Sequence, residues 1–185
     1  MIKIIGIDPG LASTGVGIIV GRGLKIIQYS FGSITTSKNH TLPERLNHIY
    51  SKLLSLLENE KPDIMIIEDI FSLEKYPKSG INLGKVTGVI LLSAYRFGIT
   101  VTEVAVREVK HVLTGNGNAG KEQLELTVRR FLKSENPIRP YHASDAIALA
   151  LLGLFRYNSN QAGRECRPDD KAKGLKLKTV RREIS

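Results

Sequence analysis

An α/β fold around a mixed sheet is what this 185-residue sequence predicts. Two short runs, Ile4-Ile5-Gly6-Ile7-Asp8 and Ile64-Met65-Ile66-Ile67-Glu68, stay apolar at successive positions until a carboxylate ends them. Runs rich in β-branched residues and lacking a polar face read as strands covered on both sides. A later segment, 142–157, is apolar nearly all round and predicts a buried helix. The element order completes the pattern: three strands, a helix, a strand, helices, a strand and further helices.

The three opening strands are expected at Lys3–Asp8, Thr14–Val20 and Leu24–Thr35, with turn chemistry at Pro9-Gly10 and Gly21-Arg22-Gly23. Thr41-Leu42-Pro43-Glu44 has the form of a capping box, with Glu44 reaching back to Thr41. Leu46, Ile49, Tyr50, Leu53, Leu56 and Leu57 then keep helical spacing to about Glu60. Lys61-Pro62-Asp63 ends that helix and feeds the strand that finishes at Glu68. Residues 70–80, with Lys75, Pro77, Lys78 and Gly80, read as an exposed mobile loop. Helical pattern resumes over Asn82–Phe97, a short strand covers Thr100–Val104, and two helices follow at Val106–Leu113 and Gly120–Lys133.

These elements form one domain over 1–157, and residues 158–185 form a basic tail without apolar period, expected to be disordered. The single Cys166 excludes an internal disulfide and suits a reducing compartment. The first strand starts too early to leave room for a signal peptide, and the apolar stretch Ala146–Phe155 is too short to span a bilayer. A soluble, cytoplasmic protein without membrane attachment is expected.

Lys and Arg number 27 against 18 acids, for a net charge of +9. The tail carries eight basic and four acidic residues, hence +4, so the body retains +5. A basic body whose strand ends are acidic suits a polyanion handled through bound cations. Simple solubility is the other reading of the charge.

A strand buried on both faces can place a charge only at its end, and open α/β sheets do their chemistry beyond the carboxyl ends of their strands. Asp8 and Glu68 are therefore candidates for one shared site. Tyr141-His142-Ala143-Ser144-Asp145 opens the apolar helix and offers His142 and Asp145 three apart on one face. Three carboxylates and an imidazole in one pocket point to a divalent metal, which makes bound water more acidic and neutralises a leaving oxygen. Each residue also has an ordinary explanation: Asp8 a turn cap, Glu68 a solvated strand end, Asp145 or Ser144 a helix cap, His142 a surface hydrogen-bonder.

Taken in order, several stretches resemble the RuvC family of Holliday-junction resolvases. They are Gly6-Ile7-Asp8-Pro9-Gly10 with Thr14-Gly15, Ile67-Glu68-Asp69-Ile70-Phe71, and Arg107-Glu108-Val109-Lys110. Gly115-Asn116-Gly117-Asn118-Ala119-Gly120-Lys121 and His142-Ala143-Ser144-Asp145-Ala146 complete the set. The resemblance covers about residues 1–156 and implies a ribonuclease-H-like fold with a five-stranded mixed sheet. It implies a Mg²⁺-dependent endodeoxyribonuclease, with Mn²⁺ also acceptable and two ions per site. The implied substrate is the four-way junction of recombination and repair, cut symmetrically in two opposed strands.

By the same resemblance Asp8, Glu68, His142 and Asp145 occupy the four metal-site positions. Many relatives carry Asp where this chain has His142, so that imidazole is either a ligand or a proton carrier. Lys110 and Lys121 match positions near the scissile phosphate, and Phe71 matches an aromatic that reaches into the unstacked junction centre. Lys75 and Lys78 would touch phosphate from the same loop. Solvated lysines and a buried Phe71 remain the ordinary alternatives. A homodimer through the helix around Asn82–Phe97 and cooperation with the RuvA–RuvB branch-migration complex are further implications.

Three rival readings are weaker. Residues 115–121 mimic both a dinucleotide fingerprint and a P-loop, but a helix precedes them and Glu122 replaces the metal-binding Ser/Thr. Asp8-Pro9-Gly10 with Thr14-Gly15 resembles the first phosphate loop of actin-like ATPases, but a second such loop and the length for two domains are missing. A catalytically silent junction-binding module is the third, and metal-dependent nicking distinguishes it.

Overall fold

The computed structural model describes residues 1–69 and 77–165, with side chains described for 1–69 and 79–159. Five strands form one sheet: β1 (Ile2–Asp8), β2 (Ser13–Arg22), β3 (Lys25–Thr35), β4 (Ile64–Glu68) and β5 (Thr100–Val104), in the order β3-β2-β1-β4-β5. β1 pairs antiparallel with β2 and parallel with β4, and β4 pairs parallel with β5. The sheet is therefore mixed, with the two apolar runs side by side at its centre. Each is covered on both faces, which is why neither alternates in polarity.

Alternate residues of the central strands serve two different cores. Ile5, Ile7, Val16, Ile18, Met65 and Ile67 face α1 (Leu42–Glu60) and α2 (Pro77–Arg96), where Ile49, Leu53, Val86 and Ile90 meet them. Ile2, Ile4, Ile19 and Ile66 face α5 (Tyr141–Glu165), flanked by α3 (Val106–Thr114) and α4 (Lys121–Leu132). Every fully buried Ile or Leu of these cores contributes about 1.5–3 kcal/mol. The period of two thus assigns each strand position to one core or the other.

On the α5 face β1 and β2 also carry glycines, toward the end of the sheet where Asp8 lies. A Cβ on Gly6 would meet Ala146 O at 2.0 Å, and one on Gly15 would meet His142 O at 2.0 Å. On Gly17 it would lie 2.5 Å from Ile147 N. The α5 backbone therefore rests directly on β1 and β2, closer than any side chain permits. Gly153 reciprocates from the helix, where a Cβ would fall 2.7 Å from Ile66 Cγ1.

The predicted strands all form, with β2 extending to Arg22. Glu44 does reach back, accepting from Thr41 N at 2.6 Å and Thr41 Oγ1 at 2.8 Å. Two boundaries differ by more than two residues. α2 starts at Pro77 rather than Asn82, so 77–80 are helical and not loop. Proline is pre-organised for a first helical position, so a residue whose composition suggests a loop opens a helix here. α5 continues past Tyr157 to Glu165. Polar residues 158–165 hide that extension from hydropathy, but Asn158 Nδ2 donates to Leu154 O and Gly23 O, tying the helix to the β2–β3 turn. Residues 166–185 lie outside the described residues. Among the described residues no helix is long and apolar enough to cross a membrane.

Candidate active site

Parallel register delivers the first two carboxylates. Ile7 is paired with Ile67, so Asp8 and Glu68 are the next positions on adjacent strands. Both follow two residues after α5-facing positions, Gly6 and Ile66, and so point to the α5 side. Asp69 N donates to Val104 O at 2.9 Å, which carries the β4–β5 ladder past Glu68 and holds its backbone. Thr14 is buried opposite and donates from Oγ1 to Gly10 O at 2.8 Å, closing the turn that follows Asp8.

The glycine track sets the other half. Because α5 lies on Gly15 and Gly6, its first turn comes down on the ends of β1 and β4. His142 Nδ1 lies 2.6 Å from Asp8 Oδ2, across 134 residues of chain. Asp145, one turn along, is close enough for its charge to raise the pKa of Asp8 and of Glu68. Lys110 of α3 and Lys121, the first residue of α4, supply the facing positive charge: Lys121 acts on Asp8 and Asp145, Lys110 on Glu68 and Asp145.

Burial governs the electrostatics. Asp8 is only 7 % exposed, and loss of water pushes its carboxyl up to about 7; the hydrogen bond with Glu68 and the Lys121 charge oppose this, and Asp145 adds to it. Glu68 is pushed up to about 8 by burial first, then by the charge and hydrogen bond of Asp8 and by Asp145, against Lys110. Asp145 is raised by burial, with Lys121, His142 and Lys110 pulling the other way. Like charges crowded out of water share protons unless a cation joins them.

Among the described residues no group of three or more His, Cys, Asp or Glu side chains is arranged to hold a metal ion. The donors converge in pairs: Asp8 with His142 and Asp8 with Glu68. Their chemistry still fits a hard divalent cation, since three carboxylates offer oxygen and the uncompensated negative charge is buried. With Nδ1 engaged by Asp8, the Nε2 of a half-exposed His142 is the ring atom left to face a ligand or a proton.

The structure thus brings together Asp8, Glu68, His142, Asp145, Lys110 and Lys121. Phe71 and Lys75 lie outside the described residues, and Lys78 falls in the first turn of α2 rather than in a loop. The glycines that seat α5 were missed as site-forming residues. Their signal was in the sequence: Gly15 and Gly17 alternate on β2, opposite Gly6 on β1.

A family model described as "Crossover junction endodeoxyribonuclease RuvC" matches residues 4–152. A crossover junction endodeoxyribonuclease RuvC of Prosthecochloris aestuarii is 36% identical over 152 residues, covering 82% of this chain and 81% of that protein. One from Carboxydothermus hydrogenoformans is 38% identical, covering 83% and 96%. Among solved structures, T. thermophilus RuvC in complex with a Holliday junction substrate superposes with a TM-score of 0.79 at 29% identity, over 86% of this chain and 97% of that one. The yeast mitochondrial resolvase Ydc2 shares the fold, with a TM-score of 0.57 at 11% identity over 88% and 83%. The five-stranded mixed sheet is accordingly the ribonuclease-H-like fold of these resolvases. Matched over most of its length by family model, relatives and structure alike, the chain belongs to the RuvC family of crossover junction endodeoxyribonucleases.

Proposed function

We infer that Asp8, Glu68, Asp145 and His142 form the reacting centre of a Mg²⁺-dependent endonuclease, which Mn²⁺ also serves, with two ions per site during cutting. The activity is resolution of four-way DNA junctions by paired nicks, in recombination and repair. The observation that carries the reading is the pairing of Asp8 with Glu68 one step beyond the β1–β4 ladder, under the first turn of α5.

Divalent ions held by these carboxylates would make a water more acidic and offset charge on the leaving oxygen. Asp8, Glu68 and Asp145 would hold them, and His142 either adds Nε2 or takes a proton there. Lys110 and Lys121 draw the phosphodiester to the acidic hollow and stabilise charge growing on phosphorus. Water attacks in line, the bond from phosphorus to the 3′ oxygen breaks, and that oxygen leaves as a hydroxyl beside a 5′-phosphate. Family resemblance adds thymine-rich cleavage sites, cooperation with RuvA–RuvB, and phosphate or base contacts from Phe71, Lys75 and Lys78.

A homodimer presents two such centres to a two-fold junction. An unpartnered stripe on α2 supports it: Ile81, Leu92 and Tyr95 are 60%, 53% and 81% exposed, and Gly84 and Gly88 between them have open space where a Cβ would be. Tyr95→Glu with Leu92→Asp should leave a folded monomer by analytical ultracentrifugation; an unchanged dimer would place the interface elsewhere. The decisive test of the whole reading is a denaturing gel of labelled four-way junctions with Mg²⁺, Mn²⁺ or chelator. Paired nicks in either metal, absent with chelator and in Asp8→Asn, are expected. Nicking that persists in Asp8→Asn would remove the assigned centre.

A further inference from the structure

One cavity lies beside the reacting centre but outside it. About 400 Å³ in volume, it is bounded by Ala105, which caps α3, by Arg107, Glu108 and His111 on α3 and by Gly117 in the turn before α4. Arg107 forms one wall. A Cβ on Gly117 would come within 2.9 Å of Arg107 Cγ, 3.2 Å of its carbonyl oxygen and 3.4 Å of Nε. Only glycine at that position lets the arginine stem lie flat against the turn, which limits where the guanidinium can go.

The one acid in the cavity is already matched. Glu108 accepts a hydrogen bond from Arg156 of α5, so its charge is compensated from the next helix. The carbonyl of Ala105 is used by Glu108 N at 2.9 Å and Val109 N at 3.3 Å. What remains available is the guanidinium of Arg107 and the ring N–H of His111, an anion-binding pair.

Position along α3 says which anion. Lys110, one turn on from Arg107, is the α3 charge felt by Glu68 and Asp145. Arg107 instead lies against Gly117. A helical turn advances about 5.4 Å, and a duplex strand carries one phosphate per about 3.4 Å of axis. A strand whose scissile phosphate lay by Lys110 would thus have its neighbouring phosphates within reach of Arg107, three residues away on the same helix.

We propose that the cavity between Arg107, His111 and Gly117 is a phosphodiester subsite that grips the junction strand next to the scissile position. It rests on the junction-cutting function and adds a register contact to it, because a fixed neighbouring phosphate fixes which bond lies over the carboxylates.

The test measures junction binding in chelator across a salt series, with the full chain. Arg107→Gln should lower affinity roughly five- to tenfold and flatten the slope of log K against log salt by about 0.9; Arg107→Lys should keep the slope. Junctions with a single neutral methylphosphonate, moved one phosphate at a time around the cut, identify the contact. One position should penalise the wild type several-fold and Arg107→Gln not at all. Gly117→Ala, which keeps every charge but displaces the arginine stem, should weaken binding through that same phosphate. It carries the test if Arg107→Gln melts early. Equal slopes, or penalties identical in wild type and variants at every position, would overturn the subsite while leaving the nuclease reading in place. A wild type indifferent to junctions would overturn both.

Discussion

The two faces of the central sheet are built from the same strands yet do opposite things with volume. Facing α1 and α2, β1 and β2 present Ile5, Ile7, Val16 and Ile18, and the helices stand off by the height of those side chains. Facing α5, they present Gly6, Gly15 and Gly17, and the helix backbone descends onto the sheet. Both faces bury apolar area, about 25 cal/mol for each Å², and the α5 side holds the larger cluster. Only the α5 side also gives up strand side-chain volume, at Gly6, Gly15 and Gly17, and so brings His142 and Asp145 to the strand ends where Asp8 and Glu68 wait. The first face serves stability alone, the second both stability and reach.

If the α5 face exists for chemistry, its carboxylates can be neutralised without loss of the DNA. Glu68→Gln keeps shape and hydrogen bonding but removes a charge the metal needs, so cleavage should fall roughly a thousandfold or more. Junction affinity in chelator should hold or rise slightly, since less negative charge faces phosphate. Cleavage at wild-type rates in Mg²⁺, measured by single-turnover kinetics, would dissolve the distinction between the faces.

The next contrast separates packing from positioning. Gly15→Ala forces a methyl to within 2.0 Å of the His142 carbonyl unless α5 moves. Such overpacking costs about 1–3 kcal/mol. A shift of about 1 Å in a reacting group loses on the order of a hundredfold in rate, so activity should suffer far more than melting temperature. Ile7→Val, on the neighbouring strand β1 and on the other face, should do the reverse. It costs about 0.5–1.5 kcal/mol and leaves single-turnover cleavage unchanged. Equal activity losses in the two variants would mean the glycine track does not seat the site.

Much of this division is legible in the sequence, and unevenly. Runs such as Ile64–Glu68 announce a buried strand and an end charge because hydropathy records burial directly. The capping box at Thr41–Glu44 is read from adjacent residues, and the structure makes it. The meeting of Asp8 with His142 is different: it depends on register and on how near α5 approaches, and neither is local. Gly15 and Gly17 carried that information, but a strand glycine also reads as a bulge or bend until the partner backbone is known. The α5 extension to Glu165 was hidden because its last two turns are polar. Pro77 shows the converse, a breaker by composition that begins a helix by position.

The smallest expected difference between the faces is in their response to pH. Burial, with the charge of Asp145 added, raises Asp8 to about 7 and Glu68 to about 8, Asp8 also pushing Glu68 up, so the folded protein holds protons there that the unfolded chain has released. For groups raised in this way, the stability they contribute is fully present below the ordinary carboxylate range near pH 4. It is lost as pH climbs through about 7 and 8. Without divalent ions the melting temperature should therefore drift down from about pH 4 to about pH 8 and level off above it. Ions bind the ionised carboxylates, so Mg²⁺ should restore most where protons have left. At a hundredfold excess over Kd the gain is about 2.7 kcal/mol, or roughly 5–10 °C for a chain of this size. At pH 6 proton displacement should offset part of that, leaving a shift a few degrees smaller. Ile7→Val should lower the melting curve by about the same amount at every pH, because the substitution changes no titratable group and lies on the face away from the carboxylates. Glu68→Gln should flatten both the drift and the metal response. A Mg²⁺ shift of equal size at pH 6 and 9, in wild type and in Glu68→Gln alike, would mean that the ion binds away from these carboxylates and that the acidic face is tuned for something other than metal.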